Sequence, residues 1–147
     1  MLHTVRFQKL DPRAVQPQYG SADAAGADLY AVLDAPLTLA AGETALVHTG
    51  LAVEIPQGFV GLVCARSGLA TKRGLAPANK VGVIDADYRG EIMIALHNHG
   101  MIPQTIEHRE RIAQLILMPY LTAVYEETES LSDTCRGSGG FGSTGRK

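Results

Sequence analysis

One stretch of this sequence gathers the residue types that acid-base chemistry needs. In NKVGVIDADYRGEIMIAL, from Asn79 to Leu96, two apolar runs, VGVI and EIMIAL, flank DADYRG, so two carboxylates, a tyrosine and an arginine share one connection. The pattern predicts a hairpin with that loop at its tip. Asp85 follows an apolar strand end, where a carboxylate is partly desolvated and held rigidly enough to act as a base. Tyr88 offers its ring to a flat or sugar-like ligand. Asp and Gly are also what any turn selects, so turn chemistry alone leaves an ordinary connector as the alternative.

A second stretch points to anion binding. After the apolar run FVGLVCA comes RSGLATKRG, in which Ser67 is placed to N-cap a short helix from Gly68 to Arg73. Gly74 would end it, with Lys72 and Arg73 in the last turn. Backbone N–H groups at such a start carry partial positive charge and hold phosphate, and Arg66 adds a guanidinium fork. A surface connector whose serine merely caps is the competing reading.

Other motifs carry less. His97 and His99 in HNH share one face of a strand and would begin a metal site, but no third ligand stands at a suggestive spacing. His3, His48 and His108 are isolated. The C-terminal GSGGFG, from Gly137 to Gly142, matches G-x-G-x-x-G formally, yet no strand leads into it and too few residues follow for the required helix. GFGSTGRK approaches a P-loop but has Arg146 where the lysine belongs.

The elements that must position these residues read as short strands. TVRFQKL, TALVHTG, LAVEIP, FVGLVCA, EIMIALHNHG and RIAQLILMP alternate with period two, or form brief apolar runs closed by Gly, Pro, Asn or Asp. No long amphipathic helical window separates them, which predicts an all-β sandwich or barrel. A chain of 147 residues fits one domain with one core. With 46% hydrophobic and 19% charged residues and a net charge of −2, it has no basic field to gather nucleic acid. The start, MLHTVRFQKL, lacks the continuous apolar stretch of a signal peptide or membrane span, so no membrane association and a cytoplasmic location are expected. The two cysteines agree: Cys64, in an apolar run, is expected as a buried thiol, Cys135 begins the tail, a structural disulfide is not expected in a reducing compartment, and neither spacing suggests zinc.

Five blocks in order resemble the signature of the trimeric dUTP diphosphatases: AGADLYA (25–31), ARSGLA (65–70), GVIDADYRGEI (82–92), RIAQL (111–115) and RGSGGFGSTG (136–145). The resemblance spans nearly the whole chain. It implies a jelly-roll-like β-barrel of mostly antiparallel strands over residues 1–134, one short helix after Arg66-Ser67-Gly68, and a flexible glycine-rich lid over 135–147. It also implies hydrolysis of dUTP to dUMP and pyrophosphate, limiting uracil incorporation into DNA and supplying dUMP for thymidylate synthesis. The sites would lie between subunits of a homotrimer.

On the residues, the resemblance makes Asp85 the general base for water attack on the α-phosphorus. Asp28 would hold waters of a Mg²⁺ ion bound mainly by the three phosphates, which suits the reluctance of Mg²⁺ to dehydrate. Arg66, Ser67 and Gly68 would grip the phosphate chain and Gln114 the α-phosphate. Asn79, Val83, Ile84 and Met93 would read uracil inside the hairpin, and Tyr88 would pack under the deoxyribose. In the tail, Phe141 would stack on uracil while Arg136, Gly142, Ser143 and Thr144 take the γ-phosphate. Two positions depart from the common pattern: Ala65 stands where proline is frequent, and Arg109 where a glycine often makes a left-handed turn, which puts that turn in question. A dCTP deaminase-like enzyme of the same fold and a dUTP-sensing regulatory protein are the rival readings.

Overall fold

The protein is described by a computed structural model over residues 4–140. The described strands are β1 (Arg6–Lys9), β2 (Gln18–Tyr19), β3 (Ala27–Tyr30), β4 (Leu37–Leu39), β5 (Thr44–His48), β6 (Leu51–Glu54) and β7 (Phe59–Cys64). After the single described helix, α1 (Ser67–Arg73), come β8 (Leu75–Pro77), β9 (Val81–Ile84), β10 (Met93–Asn98), β11 (Gln104–Ile106) and β12 (Arg111–Pro119). All ladders are antiparallel. The largest sheet runs β2-β3-β12-β7-β9, another β5-β10-β8, and β1-β6 and β11-β4 form two-stranded ribbons.

Period-two patterning explains which face turns inward. In β10, Ile94, Leu96 and Asn98 are buried while Met93, at its start, is exposed. One core receives Leu29, Leu39, Val47, Val53, Val63, Leu75, Ile94, Ile106 and Ile112, so every sheet contributes to it. Burying each large aliphatic side chain stabilises by roughly 1.5–3 kcal/mol. The buried Asn98 amide is fully used: it donates to Leu39 O at 3.1 Å and Ile102 O at 2.8 Å and accepts Gly100 N–H at 2.9 Å. Such a satisfied polar group costs little inside a core.

The all-β, jelly-roll-like expectation holds, with three corrections. The barrel is not closed. The hairpin also fails: β9 pairs with β7, whereas β10 lies between β5 and β8. The chain between them is tied just before β10 to β6, where Ile92 N–H bonds Leu51 O at 2.8 Å. Cys64 is half-buried rather than buried; both it and the exposed Cys135 are free thiols.

Local turn chemistry has a mixed outcome. Gly74 ends α1 in the left-handed region, φ 67°, with its N–H on Ala70 O, as its sequence position predicts. Arg109 also adopts a left-handed φ of 65°, so the turn questioned for want of glycine forms without it. Arg109 N–H bonds Ala31 O at 2.8 Å, and Glu110 N–H closes on Glu107 O at 3.1 Å, which over-determine the strained residue. After Pro119 the described chain adds no strand, and Leu121, Val124, Tyr125 and Leu131 are almost wholly exposed. No described helix is long and apolar enough to cross a membrane.

Candidate active site

The phosphate-type residues converge at one end of the five-stranded sheet. Asp28 on β3 lies opposite Gln114 on β12, which in turn lies opposite Cys64 at the end of β7. A register shift between Arg111 and Ala113 bulges β12. Residues three apart on a regular strand face opposite sides; the bulge buries Ile112 and Ala113 together and leaves Arg111 and Gln114 on the same side as Asp28.

Asp28 is the hub of this cluster. Arg66 Nε donates to its Oδ1 at 2.7 Å and Arg111 Nη1 to its Oδ2 at 3.1 Å, with the Asp28 side chain only 13% exposed. Arg66 Nη1 also reaches Arg111 O at 3.3 Å. Two guanidinium charges against one carboxylate leave a net positive cradle, and Asp28, Arg66, Ser67, Gly68, Arg111 and Gln114 line a cavity of about 230 Å³. Gln114 Nε2 donates to Ala65 O at 2.9 Å. The expected cap differs: helix α1 begins at Ser67 itself, and Arg66 occupies the N-cap position in extended conformation without a side-chain cap bond. The Arg66 side chain is committed to Asp28 instead, and Ala70 N–H on Arg66 O opens the helix one residue early.

Asp85 belongs to a second cluster. It opens the loop between β9 and β10, where its carbonyl accepts Tyr88 N–H at 3.1 Å. Arg89 Nη1 folds back onto Ala86 O at 2.7 Å and Tyr88 O at 2.9 Å. The Tyr88 hydroxyl donates to Glu91 O at 3.0 Å, and its ring crosses Gly90 so closely that a β-carbon there would lie 2.5 Å from Tyr88 Cζ. Asp85, Ala86, Asp87, Arg89, Gln57 and Tyr120 line a cavity of about 680 Å³. Contrary to the expected partial desolvation, Asp85 is exposed within the single chain, because the diverging strands leave the loop open.

The residues expected to read the base lie on or beside β9 and β10, and none of them lines the Asp85 cavity. Val83, 61% exposed, and Met93, 38% exposed, present apolar side chains from strands that do not pair with each other. Ile84 packs against the core, and the exposed Asn79 precedes Lys80, which takes a left-handed φ of 67°. Arg136 is exposed and donates from Nε to Gly139 O at 2.8 Å; it lines neither cavity. Phe141, Gly142, Ser143 and Thr144 lie outside the described residues.

The two clusters do not meet in one chain. On β7, Gly61 faces Ile84 and Cys64 faces Val81, so Asp85 continues past one end of the pairing and Arg66 past the other. About six residues of strand intervene, roughly 20 Å at about 3.3 Å per residue, far longer than a triphosphate.

Two residues of this arrangement escaped the sequence reading. Arg111 was hidden because simple alternation puts it on the opposite face from Gln114. Glu91 was read as the start of a strand, whereas its carboxylate accepts Gly50 N–H at 2.8 Å and stands 2.9 Å from His48 Nδ1. The histidine pair is resolved differently from a metal site. The His97 and His99 rings meet edge-on with centroids 4.3 Å apart, and His97 Nδ1 is engaged by Thr44 Oγ1 at 2.7 Å. Desolvation, then Lys80 and His97, lower the His99 pKa. Among the described residues no group of three or more His, Cys, Asp or Glu is arranged to hold a metal.

Comparisons with known proteins agree on one family. The dUTPase family model matches residues 13–145. Deoxyuridine 5'-triphosphate nucleotidohydrolase of Desulfitobacterium hafniense (strain DSM 10664 / DCB-2) is 47% identical over 142 residues, 96% of this chain and 94% of the relative. A mutant dUTPase of Staphylococcus bacteriophage 80alpha, solved with dUpNHpp, has a TM-score of 0.90 and 29% identity, covering 98% of this chain and 99% of that one. A mutant dUTPase of phage phi11 of S. aureus, studied for the coordination of a structural Mg(II) ion, has a TM-score of 0.80 and 25% identity, covering 89% and 100%. With the family model and a close relative both spanning nearly its whole length, and a jelly-roll-like fold in common, the chain belongs to the dUTPase family.

Proposed function

We propose that this chain hydrolyses dUTP to dUMP and pyrophosphate, with Asp85 as general base and the Asp28 cluster as phosphate cradle. The observation that carries this reading is the convergence of Arg66 and Arg111 on Asp28 beside Ser67 and Gly68, a rigid cationic pocket suited to a polyphosphate. The Asp85 carboxylate accepts a proton from water as the water oxygen bonds to the α-phosphorus. The bond from that phosphorus to the bridging oxygen breaks, pyrophosphate leaves, and the proton passes to solvent. Arg66 and Arg111 hold the phosphate oxygens in line, which converts a bimolecular encounter into a positioned one. Val83 and Met93 border the base, with Asn79 and Ile84 beside them, while Tyr88, fixed by its bond to Glu91 O, borders the sugar.

The donor set fits Mg²⁺ carried in on the phosphates. Each Asp28 oxygen spends one lone pair on a guanidinium, leaving another to accept from a metal-bound water. The ion, when bound, neutralises charge on the phosphate oxygens. A dUTPase relative has been studied for the coordination of a structural Mg(II) ion, so a similar fold takes up this metal.

The separation of the two clusters along β7 favours sites shared between copies of the chain in a homotrimer, with the Asp85 loop of one copy facing the Asp28 cradle of another. The exposed apolar segment from Leu121 to Leu131 gives such an assembly further surface to bury. Residues 135–147 act as the lid in this reading, over a body of residues 1–134: glycine permits close wrapping, and Phe141 with Arg136, Gly142, Ser143 and Thr144 covers the nucleotide. Two free thiols accord with a cytoplasmic location.

Pyrophosphate release from dUTP, dCTP, dTTP and UTP with Mg²⁺ tests the activity. Turnover of dUTP far above the other three is expected, and equal rates on all four would overturn the assigned selectivity. Ammonia from dCTP would instead identify a deaminase, and tight dUTP binding without turnover a regulatory protein.

A further inference from the structure

Glu91 closes the loop that carries Asp85 and Tyr88, yet its carboxylate points away from the Asp85 cavity. It lines a separate cavity of about 270 Å³ with Asp11, Arg13, Val32, Asp34 and His48, and Asp85 borders none of it. There Oε1 accepts Gly50 N–H at 2.8 Å and Oε2 stands 2.9 Å from His48 Nδ1, with the Glu91 side chain 20% exposed.

The partner it grips has little freedom to move. Gly50 sits at φ 66°, a β-carbon on it would lie 2.9 Å from Asp11 Cβ, and its carbonyl already takes Leu10 N–H at 2.7 Å. Next to it, the Thr49 hydroxyl donates to Ile92 O at 2.5 Å. The backbone of Glu91 leads back to the chemistry. Its carbonyl accepts the Tyr88 hydroxyl, and Tyr88 N–H in turn bonds Asp85 O. Among the described residues, the Glu91 carboxylate is the one side-chain hydrogen-bond tether between the segment 85–91 and the rest of the chain; Arg89 and Tyr88 bond within the loop itself.

We propose that Glu91 is a positioning residue for dUTP hydrolysis, clamping the Asp85–Tyr88 loop to the β5–β6 turn through Gly50 and His48. The inference rests on Asp85 being the base. Removing the carboxylate leaves Gly50 N–H and His48 without their partner and lets the exposed loop drift, whereas the Asp28 cradle at the other end of β7 is untouched. The expected signature is therefore a loss in kcat rather than in substrate affinity.

Steady-state pyrophosphate release from dUTP by the full chain, with the Glu91→Ala, Glu91→Gln, Glu91→Asp, Asp85→Asn and Asp85→Asn/Glu91→Ala variants, tests it. Glu91→Ala should lower kcat roughly 10- to 100-fold with KM changed less than about threefold, the scale of loss for a group misplaced by about 1 Å. Glu91→Gln should recover most of that loss, since its amide oxygen still accepts Gly50 N–H. Glu91→Asp, charged but one methylene too short, should not. In the Asp85→Asn background, Glu91→Ala should cost little more, because both act through the same base. Full kcat in Glu91→Ala or Glu91→Asp, or effects that multiply completely in the double variant, would overturn the role. If Glu91→Ala fails to fold, the contrast between Gln and Asp decides alone. Near-normal turnover by Asp85→Asn removes the base assignment and this inference with it, whereas an inactive Asp85→Asn beside a fully active Glu91→Ala removes this inference only.

Discussion

The Gln114 side chain fills the space beside Gly26: a β-carbon on residue 26 would collide with the Gln114 amide oxygen and lie 3.0 Å from its Cδ. The same amide donates to Ala65 O, so Gly26 and Ala65 hold it from two sides. Gly26→Ala should push Gln114 out of the cradle, raising KM for dUTP or lowering kcat by roughly 10-fold or more while the chain stays folded. Steady-state kinetics with circular dichroism as the folding control checks it; unchanged kinetics would mean that Gln114 does not touch substrate.

The distance between Asp85 and Arg66 makes a prediction about assembly. Asp85→Asn should lose about 10² to 10⁴ in turnover, the usual contribution of a general base, and Arg66→Ala should also be severely impaired. If each site joins the Asp85 loop of one copy to the Arg66 cradle of another, refolding the two inactive variants together restores part of the activity. Mixtures that stay inactive, although they form mixed oligomers, would place both residues in one chain's site.

Deleting the residues after Thr134 removes the proposed lid and leaves every described strand intact. Turnover should fall severely with thermal stability and oligomeric state unchanged. A truncated chain with normal kcat/KM would end the lid assignment.

Arg109 holds a left-handed φ of 65° with its side chain exposed, at a cost of roughly 1–2 kcal/mol that glycine would not bear. Glycine's greater freedom when unfolded offsets about half of that. Arg109→Gly should therefore raise stability by about 0.5–1 kcal/mol, read as a higher midpoint in thermal denaturation; a lower midpoint would show that the Arg109 side chain contributes more than its backbone costs.

Asp11 supplies a pH prediction. Hydrogen bonds from the Arg13 side chain, then from its backbone N–H, hold the Asp11 carboxyl down at about 2. Because its folded value lies below the ordinary one, near 3.9, the associated stabilisation is present above about pH 4 and is lost as pH falls toward 2. An NMR titration of the Asp11 carboxyl should show this low midpoint, and Arg13→Ala, which removes the guanidinium but keeps the backbone N–H, should raise it part of the way toward the ordinary value; an ordinary midpoint in the unaltered chain would show that the Arg13 contact does not persist in solution.

Local patterning in the sequence determined the all-β class, the position of the short helix with its end at Gly74, and the chemical content of the Asp85 and Arg66 stretches. Those properties depend on near neighbours: alternation chooses a strand face, and glycine alone enters the left-handed region without cost. The tertiary structure decided the rest. The bulge in β12 turned Arg111 to the same side as Gln114 and Asp28, against the alternation that the sequence displays. Pairing of β9 with β7 and of β10 with β5 pulled apart two strands that looked like a hairpin, and exposed Asp85. The left-handed turn survived at Arg109 because the Ala31 carbonyl, remote in sequence, holds it. Each of these outcomes rests on hydrogen bonds between segments far apart in the chain, and a residue's neighbours in sequence carry no record of which distant backbone will satisfy its own.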